Sequence, residues 1–533
     1  MLRRSITVDR QYLVLPVAKG PMSGHLRLRD ESGTVREFDI RLADGAGDYQ
    51  VFSDLEPYRG AKLTVEYEGD TAASLDGIFL ADEPVDPGEI YRERLRPQFH
   101  FSSRRGWNND PNGLFYYGGE YHLLYQHNPY STDWGNLHWG HAVSTDLVQW
   151  TELPVALYPD ALGTMSTGSS VVDYENTSGL GSDEGPAIVA VYTAGHADWV
   201  DEFTQCVAFS TDGGRSWTKY DGNPVMGHII GKNRDPKVIW HPETERWIMP
   251  LYMDQSDYAI FASPNLLEWE HVSDFTLRGA TECPELFPLP VDGDEDDRRW
   301  VFWGANSTYA VGSFDGTAFR PEQSLRMLQP DGCAYAAQTW GENPDDDRLL
   351  QMAWFRQVMP GMPFGQFMTI PWSLGLIRRD DGIVLTADPV QELEVLWEEQ
   401  WQERDVELTA GTELEAGLGG ELLDLEVDID LGEADSAGVV VRGVPVWYDR
   451  SLGALFCGSY TALMTVPLRS LRLRILADRT SIEVFADGGT TLVAAGVVLR
   501  PEDQEVRLFA RGGSALVRKV RVSRLRTAWP FGG

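Results

Sequence analysis

Apolar and polar residues alternate with a period of two along nearly the whole chain. The stretches GHLRLRDES, EYHLLYQH, AIVAVYTA, RWIMPLYM, RWVFWGA and LRLRILADRTSIEVFADGG read as short β-strands closed by Gly, Asp or Pro turns. Long amphipathic helices are missing from the pattern, so the expected fold class is all-β. A loose repeat organises the middle of the chain. STDLVQW, STDGGRSW, SPNLLEW and SFDGTAF each carry a Ser, a turn residue of the Asp or Asn kind, and a closing aromatic, and each reads as the tip of an outer hairpin. The closing aromatics Trp150, Trp217, Trp269 and Phe319 recur at intervals of roughly 50 to 67 residues, the length of a four-stranded propeller blade with loops added. A five-bladed β-propeller over residues 93–395 is therefore expected. Residues 1–92 form a small β-rich accessory unit, with a sandwich as its expected shape. The Trp- and Glu-rich junction VQELEVLWEEQWQER leads into a C-terminal β-sandwich over residues 400–533.

Length and composition narrow the function. A chain of 533 residues has enough length for two or three cores, and its 18 Trp, 20 Tyr and 21 Phe suit a protein that stacks on ring-shaped ligands such as sugars. Lys and Arg number 45 against 81 Asp and Glu, a net charge of −36, which speaks against nucleic acid or an anionic membrane as partner. Only six of the basic residues are Lys, a bias that fits a salt-adapted proteome or a GC-rich genome. Cys206, Cys283, Cys333 and Cys457 are too scattered for a zinc site or a disulfide framework and are expected to be free, buried thiols. The N-terminal stretch has no apolar run of signal-peptide length, and with Met1 as the natural start the expectation is a cytoplasmic protein. A homo-oligomer is one option for its assembly.

Three acids stand in kinked, Pro-bearing contexts between apolar strands: Asp110 in WNNDPNG, Asp235 in KNRDPKVIW and Glu282 in TECPELF. WNNDPNG alone reads as a turn, because Asn, Asp, Pro and Gly favour turn dihedrals. Each acid by itself is more often a turn device than a catalytic group. Their spacing, however, puts them on the first, third and fourth blades, converging on one end of a central channel. Following Pro residues are expected to hold the acids' backbone extended and so to fix where the carboxylates point. Paired carboxylates are what glycoside hydrolysis requires, one to protonate the leaving oxygen and one to attack or to activate water. Glu282, beside Cys283 and the apolar ELFPLP run, suits the acid. Arg234 is expected to hold Asp235 ionised. His127, His138 and His141 lie close together, but HxxH on strand positions with no partnering acid reads as structural rather than as a metal site. The acidic runs DGDEDDRR and ENPDDDR read as solvated loop tips.

In these residues the sequence resembles glycoside hydrolase family 32, the β-fructofuranosidases that include invertases, inulinases and levanases. The family's WMNDPNG-like, RDP and ECP motifs occur here in the same order. DRTSIEVFADGG is similar to its C-terminal sandwich module, and the YLVLPV unit resembles an accessory domain ahead of some bacterial levanases. The resemblance implies a retaining double displacement with Asp110 as nucleophile, Glu282 as general acid and then base, and Asp235 as stabiliser of the transition state through fructose hydroxyls. It further implies a fructose subsite lined by Asn109, Gln126, Trp134, Ser169 and Arg234, a fructose-containing oligo- or polysaccharide as partner, and no metal or organic cofactor. Bland alternatives stand beside these: Trp134 as a core aromatic, Gln126 as a strand-end polar group. The chain departs from the family at Asn108, where Met is usual, and at MSTGS, where Ser166 and Thr167 replace an aromatic and a Ser. Competing readings are fructosyl transfer through the same intermediate, a non-catalytic fructan-binding propeller, and a neighbouring five-bladed superfamily acting on arabinose or xylose. The intact set of three acids and the NDPNG and ECP pair favour a fructoside hydrolase.

Overall fold

The computed structural model describes residues 1–69, 73–84, 88–182, 185–195, 202–341, 343, 345–464 and 467–529. Among them, helix is confined to two short 3-10 turns, Glu56–Tyr58 and Gln391–Leu396, the second of them at the Trp- and Glu-rich junction. Nearly all strand pairing among the described residues is antiparallel, and the strands follow the period-two pattern. At the N-terminus the strands Leu2–Thr7, Lys62–Glu68, Gly24–Arg29 and Thr34–Ile40 form one sheet, and Tyr49–Asp54, Tyr12–Val17 and Phe79–Ala81 form another. Alternate residues of both sheets (Leu13, Leu15, Leu26, Leu28, Val51, Val65) bury into a shared core.

Five successive antiparallel units follow. Gly106–Tyr117, Glu120–Asn128, His138–Ser144 and Thr151–Leu157 make the first, and the second opens with Thr164–Asp173. The third opens with Ile239–His241, the fourth with Glu285–Val291 and the fifth with Ala334–Thr339. The fourth and fifth join into one sheet through a single parallel pairing, Val291 with Leu376. Phe364–Gly365, from the fifth unit, pairs in parallel with Gly106 and Trp107 of the first and so closes the circle.

The four repeats connect the third strand to the outer fourth strand in each of the first four units. Their chemistry is local. In the first, Ser144 Oγ donates to Asp146 Oδ1, which accepts the Val148 and Gln149 amides, while Trp150 Nε1 caps the Leu147 carbonyl. Asp212, Asn265 and Asp315 take the same part in the other three. The repeat is thus an Asx turn, locked in the first three units by an indole N–H bonded back to a turn carbonyl.

Strands from Trp397–Glu403 onward build two facing sheets around a core of Leu, Ile and Val, the C-terminal sandwich. It does not stand apart. One continuous buried cluster runs from Leu114 and Trp303 of the five-unit body to Leu476, Phe485 and Trp529 of the sandwich. A buried polar latch crosses the same seam: His100 Nδ1 lies 2.8 Å from Asp478 Oδ2 and Nε2 lies 3.0 Å from Glu483 Oε2.

Two local expectations are corrected. WNNDPNG is not a turn but part of the twelve-residue strand Gly106–Tyr117, because its neighbour Glu120–Asn128 supplies ladder partners on both sides of it. In DGDEDDRR only Asp292 and Gly293 turn; Asp294 to Arg299 continue a strand, stabilised by the ion pairs Arg298–Glu295, Arg299–Asp297 and Arg378–Asp297. In ENPDDDR, residues 342 and 344 lie outside the described residues, and Asp346 and Glu392 clamp Arg348.

Candidate active site

Each of the five units contributes a polar side chain at the same end of the ring, and the first, second and fifth do it with a β-bulge. Asn109 and Asp110 together oppose one residue of the next strand, as do Ser166 and Thr167, and as do Ala336 and Ala337 just after Tyr335. A bulge re-aims the side chains it displaces, which is how a residue in the middle of a strand comes to face a pocket. Gly113 belongs to the same device. It has φ +58°, and a Cβ there would come within 2.8 Å of Trp139 and of Ser170 Oγ. Asn108, with its amide nitrogen turned towards the fifth unit, lies 3.1 Å from the Gly365 carbonyl and 3.0 Å from that of Gln366. The Asn found where the family has Met therefore ties the first unit to the segment that closes the circle.

Asp110 accepts from Thr167 Oγ1 at 2.6 Å and from Asn109 Nδ2 at 3.1 Å. Asn109 in turn bonds Gln126 Oε1 and takes the Trp107 indole N–H, and Gln126 donates to Thr167. Burial raises the Asp110 pKa, with the charge of Glu282 adding to it, while the bonds from Thr167, Asn109 and Cys283 pull it back.

The third and fourth units place their acids just ahead of their first strands. Both acids are in the left-handed region, Asp235 at φ +64° and Glu282 at +57°, and Cys283 follows at +36°. The extended backbone expected for Asp235 from its following Pro is therefore wrong. The Asp235 N–H is bound to Thr193 Oγ1 and its carboxylate accepts the Cys283 N–H, contacts that over-determine a conformation costing of order 1–3 kcal/mol on its own. Strain of this kind concentrates at functional sites.

Arg234 lies 3.5 Å from Asp235 Oδ2, forms an ion pair with Glu282 Oε1 and packs over the Tyr252 ring. Tyr335 donates to the other oxygen of Glu282. The Cys283 thiol is 3.7 Å from Asp110 Oδ2 and 3.6 Å from Asp235 Oδ2, so a single sulfur bridges two of the acids. Arg234 lowers the Asp235 pKa, as expected, but does not outweigh burial. Burial raises this carboxyl to a pKa of about 7, and the charges of Glu282 and Asp110 oppose what Arg234 contributes. The Asp235 side chain is 4% exposed and that of Glu282 30%, so Asp235 sits at the floor and Glu282 near the mouth.

The remaining expected residues divide. Gln126 and Asn109 join the network around Asp110. Trp134 is no core aromatic: it is 49% exposed, on the segment 129–137. Ser169 is buried and its hydroxyl is committed, donating to the Pro236 carbonyl and accepting the Val238 N–H, so it holds the strand behind Asp235 instead of facing the pocket. Thr167, noted only as a departure, makes the contact with Asp110. Sequence reasoning missed Tyr335 and the pair beneath the site, where Lys237 meets Glu285 Oε1 at 3.1 Å and both bond Thr339. Their two-residue and three-residue offsets from Asp235 and Glu282 were the available signal. His127 and His138 bond the Trp107 and Asn136 carbonyls, and His141 bonds His122.

Comparison with known proteins agrees with this geometry. The N-terminal domain model of glycosyl hydrolases family 32 matches residues 100–389 and the family's C-terminal model matches residues 392–524. A levanase of Bacillus subtilis is 35% identical over 489 residues, covering 82% of this chain and 72% of its own. The crystal structure of an exo-inulinase from Aspergillus awamori superposes with a TM-score of 0.76 at 28% identity, over 82% of this chain and all of that one. A fructofuranosidase from Schwanniomyces occidentalis, solved with fructose, gives a TM-score of 0.73 at 26% identity, over 82% of this chain and 99% of that one. The chain belongs to glycosyl hydrolase family 32.

Proposed function

We propose that the protein is a retaining β-fructofuranosidase that releases fructose from the non-reducing ends of fructans or from sucrose. The observation that carries this reading is the convergence of Asp110, Asp235 and Glu282 on one pocket, linked through Cys283 and Arg234. Asp110 is the nucleophile: the bonds from Thr167 and Asn109 favour its ionised form and aim it. In the first step its carboxylate bonds to the anomeric carbon while Glu282 passes its proton to the departing glycosidic oxygen. In the second, Glu282 takes a proton from water, whose oxygen displaces Asp110 and restores the free enzyme. Glu282 fits the acid/base role because its side chain is 30% exposed and can exchange its proton with solvent. Asp235, at the floor with Arg234, binds fructose hydroxyls, and Trp134 forms part of the rim. Asn109 and Gln126 complete the fructose subsite, with Ser169 acting behind it.

The sheet arrangement supports a division into an accessory unit at 1–92, a five-bladed catalytic propeller at 93–395 and a sandwich at 400–533. The four free, buried cysteines favour a reducing compartment, the cytoplasm, which cell fractionation tests. The decisive experiment is a panel of sucrose, inulin and levan with products resolved by size. Free fructose as the first product from all chain lengths supports the reading, whereas no release from any of the three sinks it. At high sucrose, longer fructosides as the main product would favour fructosyl transfer.

A further inference from the structure

Neither family model reaches below residue 100, so the N-terminal unit has no assigned part in the reaction. Its contacts give it one. Tyr130, from the segment 129–137 of the catalytic body, is 1% exposed and belongs to the hydrophobic core of the N-terminal unit. Its ring stacks on Phe38 with centroids 3.5 Å apart, and its hydroxyl lies 3.3 Å from Ser53 Oγ. At the other end of the segment, Asn136 makes a two-way clasp on the edge strand Thr34–Ile40: Oδ1 accepts the Asp39 N–H at 2.8 Å and Nδ2 donates to the Asp39 carbonyl at 2.7 Å. The same Nδ2 lies 3.1 Å from Asn128 Oδ1, and Asn128 donates to the Asp133 carbonyl at 2.8 Å.

Trp134 stands between these two anchors. On one side of it, Asp133 is held through Asn128; on the other, Gly135 is so close to the accessory unit that a Cβ there would come within 2.7 Å of Met22 Cε. Gly135 has φ +142° and Asn136 has φ +42°, conformations that the clasp maintains. A segment carrying a half-exposed indole would otherwise be free to move, because surface loops with few buried contacts are the low-stability parts of a fold. Here both flanks of the indole are pinned: the Gly135–Asn136 flank directly by the N-terminal unit, and the Asp133 flank through Asn128, whose Oδ1 accepts from the clasped Asn136.

We propose that the N-terminal unit is a positioning element of the substrate site: through Tyr130, Asn136 and the Met22–Gly135 contact it sets where Trp134 stands at the pocket rim, and so how strongly a fructoside is held. This rests on the reading of Trp134 as a rim residue. Pre-ordering a binding side chain lowers the entropy lost when substrate docks, and its loss is felt in binding more than in the chemical step.

The test uses the full chain with sucrose and levan. Asn136→Gly keeps a residue suited to positive φ and removes the clasp together with the Nδ2 contacts to Asn128 Oδ1 and Met22 Sδ; Met22→Ala removes the packing on Gly135, and Met22→Leu restores it. Expected for Asn136→Gly and Met22→Ala is a KM raised by about three- to tenfold with kcat within about twofold of wild type, with Met22→Leu near wild type. Trp134→Ala should raise KM at least as much, and adding Asn136→Gly to it should change little more, since both act through the indole. A normal KM in Asn136→Gly and Met22→Ala alongside a raised KM in Trp134→Ala would overturn the positioning role and leave the subsite reading intact. An unchanged KM in Trp134→Ala would overturn both. Thermal melting of each variant checks that the fold is retained.

Discussion

The latch between the catalytic body and the C-terminal sandwich makes stability depend on pH in a defined direction. His100 is fully buried, and burial by itself would lower its pKa; the hydrogen bonds and charges of Asp478 and Glu483 outweigh this and bring it to about 9 from an ordinary 6.5. Asp478 also accepts the Gln98, Phe99 and Arg479 amides, so it cannot turn away when the imidazole loses its proton. A folded-state pKa above the unfolded one stabilises the fold fully below pH 6.5 and ceases to do so as pH rises through 9. A difference of about 2.5 pKa units corresponds to about 3 kcal/mol. His100→Gln cannot carry the charge and should lose this increment. Urea unfolding of wild type and variant, compared at intervals from pH 6 to pH 10, isolates the effect from other groups that titrate in the range. The stability gap should be largest near pH 6 and shrink by about 3 kcal/mol on the way to pH 10. A gap that stays constant across that interval would refute the charged latch.

Other consequences follow from the pocket. Glu282→Gln should lower kcat on sucrose or levan by about 1,000-fold or more, and much less on a fructoside whose leaving group needs no protonation, as steady-state kinetics on the two substrate types will show. Thr167→Ala removes a bond to the ionised form of Asp110, so the acid limb of the pH profile of kcat/KM should move to higher pH. Asp235 has its pKa raised to about 7, mainly by burial, so the fold loses stability as pH rises from 3.8 to 7. Asp235→Asn should therefore melt at a higher temperature than wild type at pH 7.5 while its activity collapses, a trade between stability and function that calorimetry and an activity assay measure together.

How far the sequence revealed this site follows from which contacts are local. Strands, repeat and acid motifs were legible because each is written in neighbouring residues: the period-two pattern, the Ser and Asx of each outer turn, the NDPNG, RDP and ECP strings. What stayed hidden is set by register across units. The bulge that turns Asp110 out of its strand exists only against Glu120–Asn128, and the commitment of Ser169 to the backbone around Pro236 crosses from the second unit to the third. Tyr335 reaches Glu282 from a unit some 50 residues away, and nothing around it in the chain marks it out. The Asp235 backbone defied its following Pro because tertiary bonds from Thr193 and Cys283 outweigh a local steric preference.

The central claim, a fructosyl ester on Asp110, has a direct measurement. Glu282→Ala lacks the base for the second step, so with an activated substrate such as β-D-fructofuranosyl fluoride the covalent intermediate should accumulate. Digestion and mass spectrometry are predicted to find one anhydrofructose unit on the peptide that contains Asp110. A label carried by a peptide containing Asp235 instead, or burst kinetics and adduct both absent while the variant still turns over the fluoride with inversion, would contradict the account.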